Sequence, residues 1–311
     1  MSELIVIAGP TAAGKTALGA ELARRFGGEV VSADAFAVYR GLEIGTAKPE
    51  PGLRASVPHH LIDIADPSER YSAGMFVRDA DATITEIRRR GRLPVVVGGT
   101  HFYLRALLFG LFPEPPKDSA LRSQLEQEWS RDAAALRARL VALDPSAAAG
   151  IAAADRQRTL RALEVCLVAG RAMTELWREH PRAKPRYRYQ ILGLSPARED
   201  LHDRIAERVK RMFAAGLLDE VRRLLAGGLS PNAHAMKAIG YRESCRVLAG
   251  ELTETEAMAA TMVATRRLAK RQMTWLRGEA AVHWLAPDPC GALAQAIAAV
   301  EARCGTGTGA I

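Results

Sequence analysis

The run Gly9-Pro10-Thr11-Ala12-Ala13-Gly14-Lys15-Thr16 fits G-x-x-x-x-G-K-[ST] at every position. No other feature limits the possible folds as much. A chance match in a chain of this length is on the order of 1%. The context also fits. Residues 3–8 (Glu-Leu-Ile-Val-Ile-Ala) predict a short buried strand, and the pattern after the motif predicts a helix over 15–26, closed by Gly27 and Gly28. A loop set between strand and helix points its backbone N–H groups at phosphate oxygens, and the helix N-terminus adds partial positive charge. Gly9, Pro10, Thr11, Ala12, Ala13, Gly14, Lys15 and Thr16 are therefore the expected phosphate cradle, with Lys15 on the outer phosphate and Thr16 the candidate ligand of Mg²⁺. The motif specifies a di- or triphosphate without saying which. Most such loops hold ATP or GTP, but no apolar run here ends in the Asp-Glu of ATP-hydrolysing machines; Val95-Val96-Val97 runs into Gly98-Gly99-Thr100.

Further strands are expected over 29–32, leading to Asp34, and over 93–97. Between them, residues 41–71 contain four prolines and no long periodicity, the mark of a functional or mobile loop. Ser72 is a candidate cap for a helix carrying Phe76, Ala80, Ile84 and Ile87, ended near Gly91. Strands alternating with helices predict an α/β fold, a P-loop NTPase-like core whose parallel sheet is covered on both faces. Phe112-Pro113-Glu114-Pro115-Pro116 reads as a stiff linker, followed by Ala- and Arg-rich helices to about Glu179. A strand returns over 187–194, then one helix over 198–226 and another opened by a Thr253/Glu256 capping box and running to about Arg277. Residues 282–285 predict a last strand, and the tail from Cys304 is expected to be disordered. The simplest organisation is a core of 1–112 with 186–311, interrupted by a helical insertion at 113–185.

The net charge of +8 is unevenly spread, with the Lys and Arg excess falling within residues 113–277. That points to a polyanion-binding region there, against the plainer reading of an arginine-rich solvated surface. The four cysteines lie far apart with no C-x-x-C spacing, which signals neither zinc nor a disulfide framework. No apolar run approaches the roughly 20 residues that span a bilayer, and residues 4–8 are too short and lack the basic flank of a secretion signal. A cytoplasmic protein without membrane partners is expected.

In a parallel sheet, ligands bind at the carboxyl ends of strands. The phosphate loop, Asp34 and Gly98-Gly99-Thr100 all follow strands and should converge. Asp34 suits a general base, and equally a capping aspartate or one that holds a metal-bound water. Arg204, Arg208 and Arg211 share one helix face opposite Ile205, Val209, Met212 and Phe213, and could clamp phosphates or lie solvated. Arg266, Arg267, Lys270 and Arg271 form a second basic face. Phe36 and Phe102 are candidates for base stacking, with core packing the plainer reading for Phe102 and Tyr103.

Taken together, these stretches resemble the bacterial tRNA dimethylallyltransferase family. The resemblance is carried by Gly9–Thr16, Ser32-Ala33-Asp34, Ile44-Gly45-Thr46-Ala47-Lys48-Pro49, His59-His60-Leu61-Ile62-Asp63 and Val97-Gly98-Gly99-Thr100. It continues through Gln157-Arg158, Arg161-Ala162-Leu163-Glu164-Val165, Ile239-Gly240-Tyr241-Arg242-Glu243, Thr265-Arg266, Ala269-Lys270-Arg271-Gln272 and Trp275-Leu276-Arg277. It implies transfer of a dimethylallyl group from dimethylallyl diphosphate to N6 of the adenosine 3′ to the anticodon, in tRNAs reading codons that begin with U. It implies that the loop holds diphosphate with Mg²⁺, that Asp34 takes the N6 proton, and that Thr100 and Arg208 join the site. It assigns the tRNA anticodon stem-loop to Asp34, Ala35, Phe36, Ala37, Thr100, Gln157, Arg158, Thr159, Leu160, Arg161 and Arg242, makes the insertion a tRNA-clasping lobe, and suits a monomer. Many members read Asp-Ser-x-Gln-x-Tyr where this chain has Asp34-Ala35-Phe36-Ala37-Val38-Tyr39. The alternatives are a P-loop small-molecule kinase using ATP, with Asp34 acting on a hydroxyl, and an NTP-switched RNA-binding protein.

Overall fold

In the computed structural model, residues 3–111, 115, 118–179 and 184–304 are described. Most of the expected 112–116 linker, and the tail beyond Cys304, lie outside them. The chain divides into two compact units, one of residues 1–108 with 185–311 and one of residues 109–184.

The first unit opens with β1 (Leu4–Ala8), α1 (Lys15–Arg25) and β2 (Glu29–Ala33). The segment expected as a loop contains α2 (Pro51–Ser56), with Pro51 in its first turn, and β3 (His59–His60). Next come α3 (Ala73–Arg89), β4 (Pro94–Gly98) and α4 (His101–Phe109). The second unit holds α5 (Ser119–Arg131), α6 (Ala133–Leu143), α7 (Pro145–Gly150), α8 (Arg156–Ala169) and α9 (Met173–Glu179). The first unit resumes with β5 (Tyr189–Gly193), α10 (Arg198–Ala214), α11 (Leu217–Ala226), α12 (Tyr241–Leu248), α13 (Glu254–Arg277), β6 (Val282–Trp284) and α14 (Pro289–Cys304).

The six strands form one sheet in the order β3-β2-β4-β1-β5-β6, and every pairing is parallel. β1, β2 and β4 are buried along their whole length, because helices cover both faces; the buried Glu29 of β2 is paired with Arg90 and His60. On one face, Leu18, Leu22 and Ala23 of α1 pack with Ala292, Ala296 and Val300 of α14. α3 buries the expected Phe76, Ala80, Ile84 and Ile87, and the Ser72 hydroxyl caps it by accepting the Met75 N–H. From β1 the chain crosses to β2 on one side, and from β4 it crosses past β1 to β5. The crevice at that reversal opens at the carboxyl ends of β1 and β4.

One helix was expected over 198–226, but two are found. Gly216 takes φ +91°, a left-handed conformation that ends α10 and starts α11. α13 packs on α10. Its buried face is Ala257, Thr261, Thr265, Ala269, Gln272 and Leu276, mostly small side chains that allow close approach.

The second unit has its own core around Leu125, Leu136, Leu140, Leu160 and Leu163. Asp118, Asp132, Asp144 and Asp155 each cap a helix there, accepting the N–H of Leu121, Ala135, Ala147 and Arg158. Each cap contributes about 1 kcal/mol. Among the described residues, no helix is long and apolar enough to cross a membrane.

Candidate active site

The phosphate loop leaves β1 at its buried end and closes into α1 through Gly14, at φ +89°. Ala12 also holds a positive φ of +64°, a strain of about 1–2 kcal/mol for a residue with a Cβ, of the kind stored at binding sites. The first N–H groups of α1 have no intrahelical acceptor, so the loop presents donors where the macrodipole is positive. Lys15 folds back on the loop, with Nζ donating to the Pro10 carbonyl at 2.7 Å. Burial, reinforced by the nearby Arg208 guanidinium and opposed by the Asp34 carboxylate, pulls its pKa down to about 8. Arg208 reaches from α10 to the same loop, and its Nη1 donates to Thr11 Oγ1 at 3.2 Å. Burial lowers the Arg208 pKa too, with Asp34 acting in the opposite sense. Two cations thus converge on an anion-binding loop with one carboxylate as their shared counter-charge.

Asp34 stands just past β2. Its Oδ1 accepts from the Phe36 N–H at 2.8 Å and the Ala37 N–H at 3.1 Å. Those bonds fix the carboxylate and leave Oδ2 uncommitted. Thr100 lies past β4, and its hydroxyl accepts the Ala35 N–H at 3.1 Å. Positions 35 and 37 therefore act through their backbone, so methyl side chains suffice to hold this turn. Phe36 is half-buried, with its ring stacked on His234 at a centroid distance of 6.0 Å.

Thr11, Asp34, Phe36, Arg208 and Arg242 line one cavity of about 430 Å³. Val209, Met212, Ile239, Ala264 and Leu268 make an apolar wall, while Lys237, Arg267 and Arg271 add basic groups. Of the other two arginines on the α10 face, Arg204 is half-buried and Arg211 is exposed, 3.9 Å from Glu207. Phe102 is 63% exposed and Tyr103 is buried in the core against Phe76, so the two differ where one packing role was expected. Thr16 is exposed in the first turn of α1.

The remaining expected contacts lie on the second unit. Gln157 and Arg158 are exposed on α8, with Arg158 3.5 Å from Asp155. Arg161 pairs with the buried Glu164 at 2.9 Å. Thr159 and Leu160 are fully buried in that unit's core, so neither offers its side chain to a ligand.

Lys237 is not singled out in the sequence reading, and Gln272 figures there only as part of the resemblance, with no role. Lys237 precedes a helix start at Gly240 whose only sequence mark is a glycine three residues before Glu243. Gln272 Oε1 accepts the Thr11 N–H at 2.8 Å and its Nε2 donates to the Gly99 carbonyl at 2.8 Å. Nothing in local periodicity reports a contact across so long a separation.

Residues 37–279 match the family model described as IPP transferase, and residues 2–56 match the one described as Isopentenyl transferase. A protein named tRNA dimethylallyltransferase from Geobacter sulfurreducens is 48% identical over 285 residues, covering 91% of this chain and 92% of that protein. The crystal structure of a tRNA isopentenylpyrophosphate transferase from Bacillus halodurans superposes with a TM-score of 0.73 at 37% identity, covering 98% of this chain and 99% of the other. A eukaryotic dimethylallyltransferase acting on tRNA superposes with a TM-score of 0.84 at 28% identity, covering 98% of this chain and 80% of the other. Agreement over nearly the whole length, in sequence and in fold, means that this chain belongs to the IPP transferase family, the tRNA dimethylallyltransferases.

Proposed function

We propose that this enzyme transfers the dimethylallyl group of dimethylallyl diphosphate to the exocyclic N6 of the adenosine 3′ to the anticodon, in tRNAs that read codons beginning with U. One observation carries the reading. A single cavity is lined by Thr11 of the phosphate loop, by Arg208, by Asp34 and by the apolar Met212, Ile239 and Leu268. A five-carbon isoprenoid has apolar side chains to pack on in this cavity, beside the basic groups that suit a diphosphate and an RNA acceptor.

The chemistry follows from the residues. The donor's diphosphate takes the open N–H groups of α1, and Lys15 and Arg208 hold its negative charge as it grows. The adenine N6 bonds to the allylic carbon. The carbon–oxygen bond breaks, and the electron pair leaves with the diphosphate. The N6 proton passes to Asp34 Oδ2, whose partner oxygen is held by Phe36 and Ala37. Adenine nitrogen is a weak nucleophile because its lone pair is delocalised, so this proton transfer assists the attack. The base must leave the anticodon stack to reach the cavity.

Among the described residues, no group of three or more His, Cys, Asp or Glu could hold a metal ion. The exposed Thr16 hydroxyl is a hard oxygen donor of the kind Mg²⁺ accepts alongside phosphate oxygens and water. We assign Mg²⁺ there, where it would neutralise charge on the departing diphosphate. Gln157, Arg158, Arg161 and Arg242 are assigned to the tRNA, with Thr159 and Leu160 packing behind them. The 113–185 insertion is the tRNA-clasping domain and 1–112 with 186–311 the catalytic core. Every residue lining the cavity belongs to the first unit, which suits a monomer, and a tRNA acceptor suits an enzyme of the cytoplasm.

The test incubates the chain and Mg²⁺ with an anticodon stem-loop RNA and either labelled dimethylallyl diphosphate or ATP. Label is expected in the RNA from the prenyl donor alone. ATP turnover without RNA modification would overturn the reading in favour of a kinase.

A further inference from the structure

Gln272 sits near the end of the buried face of α13 and is 7% exposed. Buried side-chain amides are rare without paired partners, since an unpaired polar group costs about 1–3 kcal/mol. Here both halves of the amide are used. Oε1 accepts from the phosphate loop at Thr11, and Nε2 donates to the turn after β4 at Gly99. The fit is close. A Cβ at Gly99 would lie 2.4 Å from Gln272 Nε2, so the amide reaches this carbonyl because position 99 is glycine. One helical turn on, the Trp275 ring lies flat on His101, with centroids 4.3 Å apart and planes within 9°. The two contacts from α13 bracket Thr100, whose hydroxyl holds the Ala35 N–H and with it the Asp34 turn. The Thr11 N–H is also withdrawn from anion binding, so phosphate must use the donors further along the loop. Thr11 Oγ1 meanwhile receives Arg208.

We infer that Gln272 is a positioning residue for the transfer reaction, a clamp that ties the phosphate loop at Thr11 to the β4–α4 turn at Gly99 and so sets the spacing between diphosphate cradle and base. The inference rests on the reading that the loop binds the donor diphosphate. The amide touches neither substrate and acts through the two backbones it joins.

The near-isosteric Gln272→Glu separates positioning from bulk. As a carboxylate it keeps an acceptor for Thr11 N–H but repels the Gly99 carbonyl and cannot donate to it; as the neutral acid it regains the donor. The experiment measures KM for dimethylallyl diphosphate, kcat and RNA dissociation constant, from pH 6 to 8.5, for wild type, Gln272→Glu and Gln272→Leu. At pH 8 both variants are expected to raise donor KM at least about tenfold, the equivalent of roughly 1.4 kcal/mol, with RNA affinity unchanged. Relative to wild type, the Gln272→Glu defect should shrink towards pH 6, and the Gln272→Leu defect should not. Partial unfolding would lower the active fraction and hence kcat, leaving donor KM in place. A donor KM at the wild-type value in Gln272→Glu across the range, beside a wild type that transfers label, overturns the clamp alone. A wild type that transfers no label overturns the transfer reading and the clamp with it.

Discussion

Lys15 meets conflicting demands that make its protonation measurable. Burial and Arg208 hold its pKa at about 8 while Asp34 partly supports the charge. The direction of the linkage follows from that value. Lys15 is charged in both folded and unfolded chains below pH 8, so its burial weighs against folding there. That cost is relieved as pH rises from 8 towards the unfolded value near about 10.4. For the ligand the sense is opposite, because diphosphate favours the charged form. Donor binding at pH 8–9 should take up protons, and donor affinity should fall as pH rises through 8. Calorimetry in two buffers of different ionisation enthalpy measures this uptake. Lys15→Arg, which does not titrate in this range, should bind without it, and equal uptake in both proteins would reject Lys15 as the titrating group.

At the scale of elements, the site depends on how closely β2 and β4 approach at their carboxyl ends. A Cβ at Gly98 would lie 2.3 Å from the Ala33 carbonyl oxygen and 2.6 Å from Ala33 Cβ, where backbone cannot yield cheaply. Gly98→Ala should therefore destabilise the chain by about 3 kcal/mol, read as a lowered urea midpoint. Gly52→Ala, with no atom within 4 Å of the added Cβ, should leave the midpoint within the equivalent of about 1 kcal/mol. Comparable losses in both would remove the steric argument. The same approach explains what was readable beforehand. β1 and β4 announce themselves because strands buried on both faces are continuous apolar runs, whereas β2, with Glu29 and Ser32 in it, is marked only by Val30 and Val31 ahead of Asp34, and the phosphate loop is set by local spacing. β3 is two histidines, too short for any period, and α2 is a single proline-led turn and a half. The α10–α11 break lies in the left-handed φ of Gly216, which composition alone does not reveal. The partners of Thr11 were equally hidden, because Arg208 and Gln272 come to it from α10 and α13 through tertiary packing.

At the scale of the molecule, the proposed roles separate RNA binding, spread over several side chains, from the proton transfer, assigned to one. The proposed tRNA contacts include the exposed Gln157 and Arg158 of the insertion and Arg242 of the sheet-bearing unit, whereas the proposed proton acceptor is one carboxylate in one cavity. Removing that carboxylate should therefore slow the reaction without releasing the RNA. The most direct measurement is single-turnover transfer by Asp34→Asn with saturating dimethylallyl diphosphate and anticodon stem-loop, alongside the RNA dissociation constant. Asn keeps an oxygen for the Phe36 and Ala37 N–H groups but cannot take the proton. The expected result is a chemical rate reduced by about 10²–10⁴-fold, with RNA affinity within about twofold of wild type. A wild-type single-turnover rate in Asp34→Asn would contradict it.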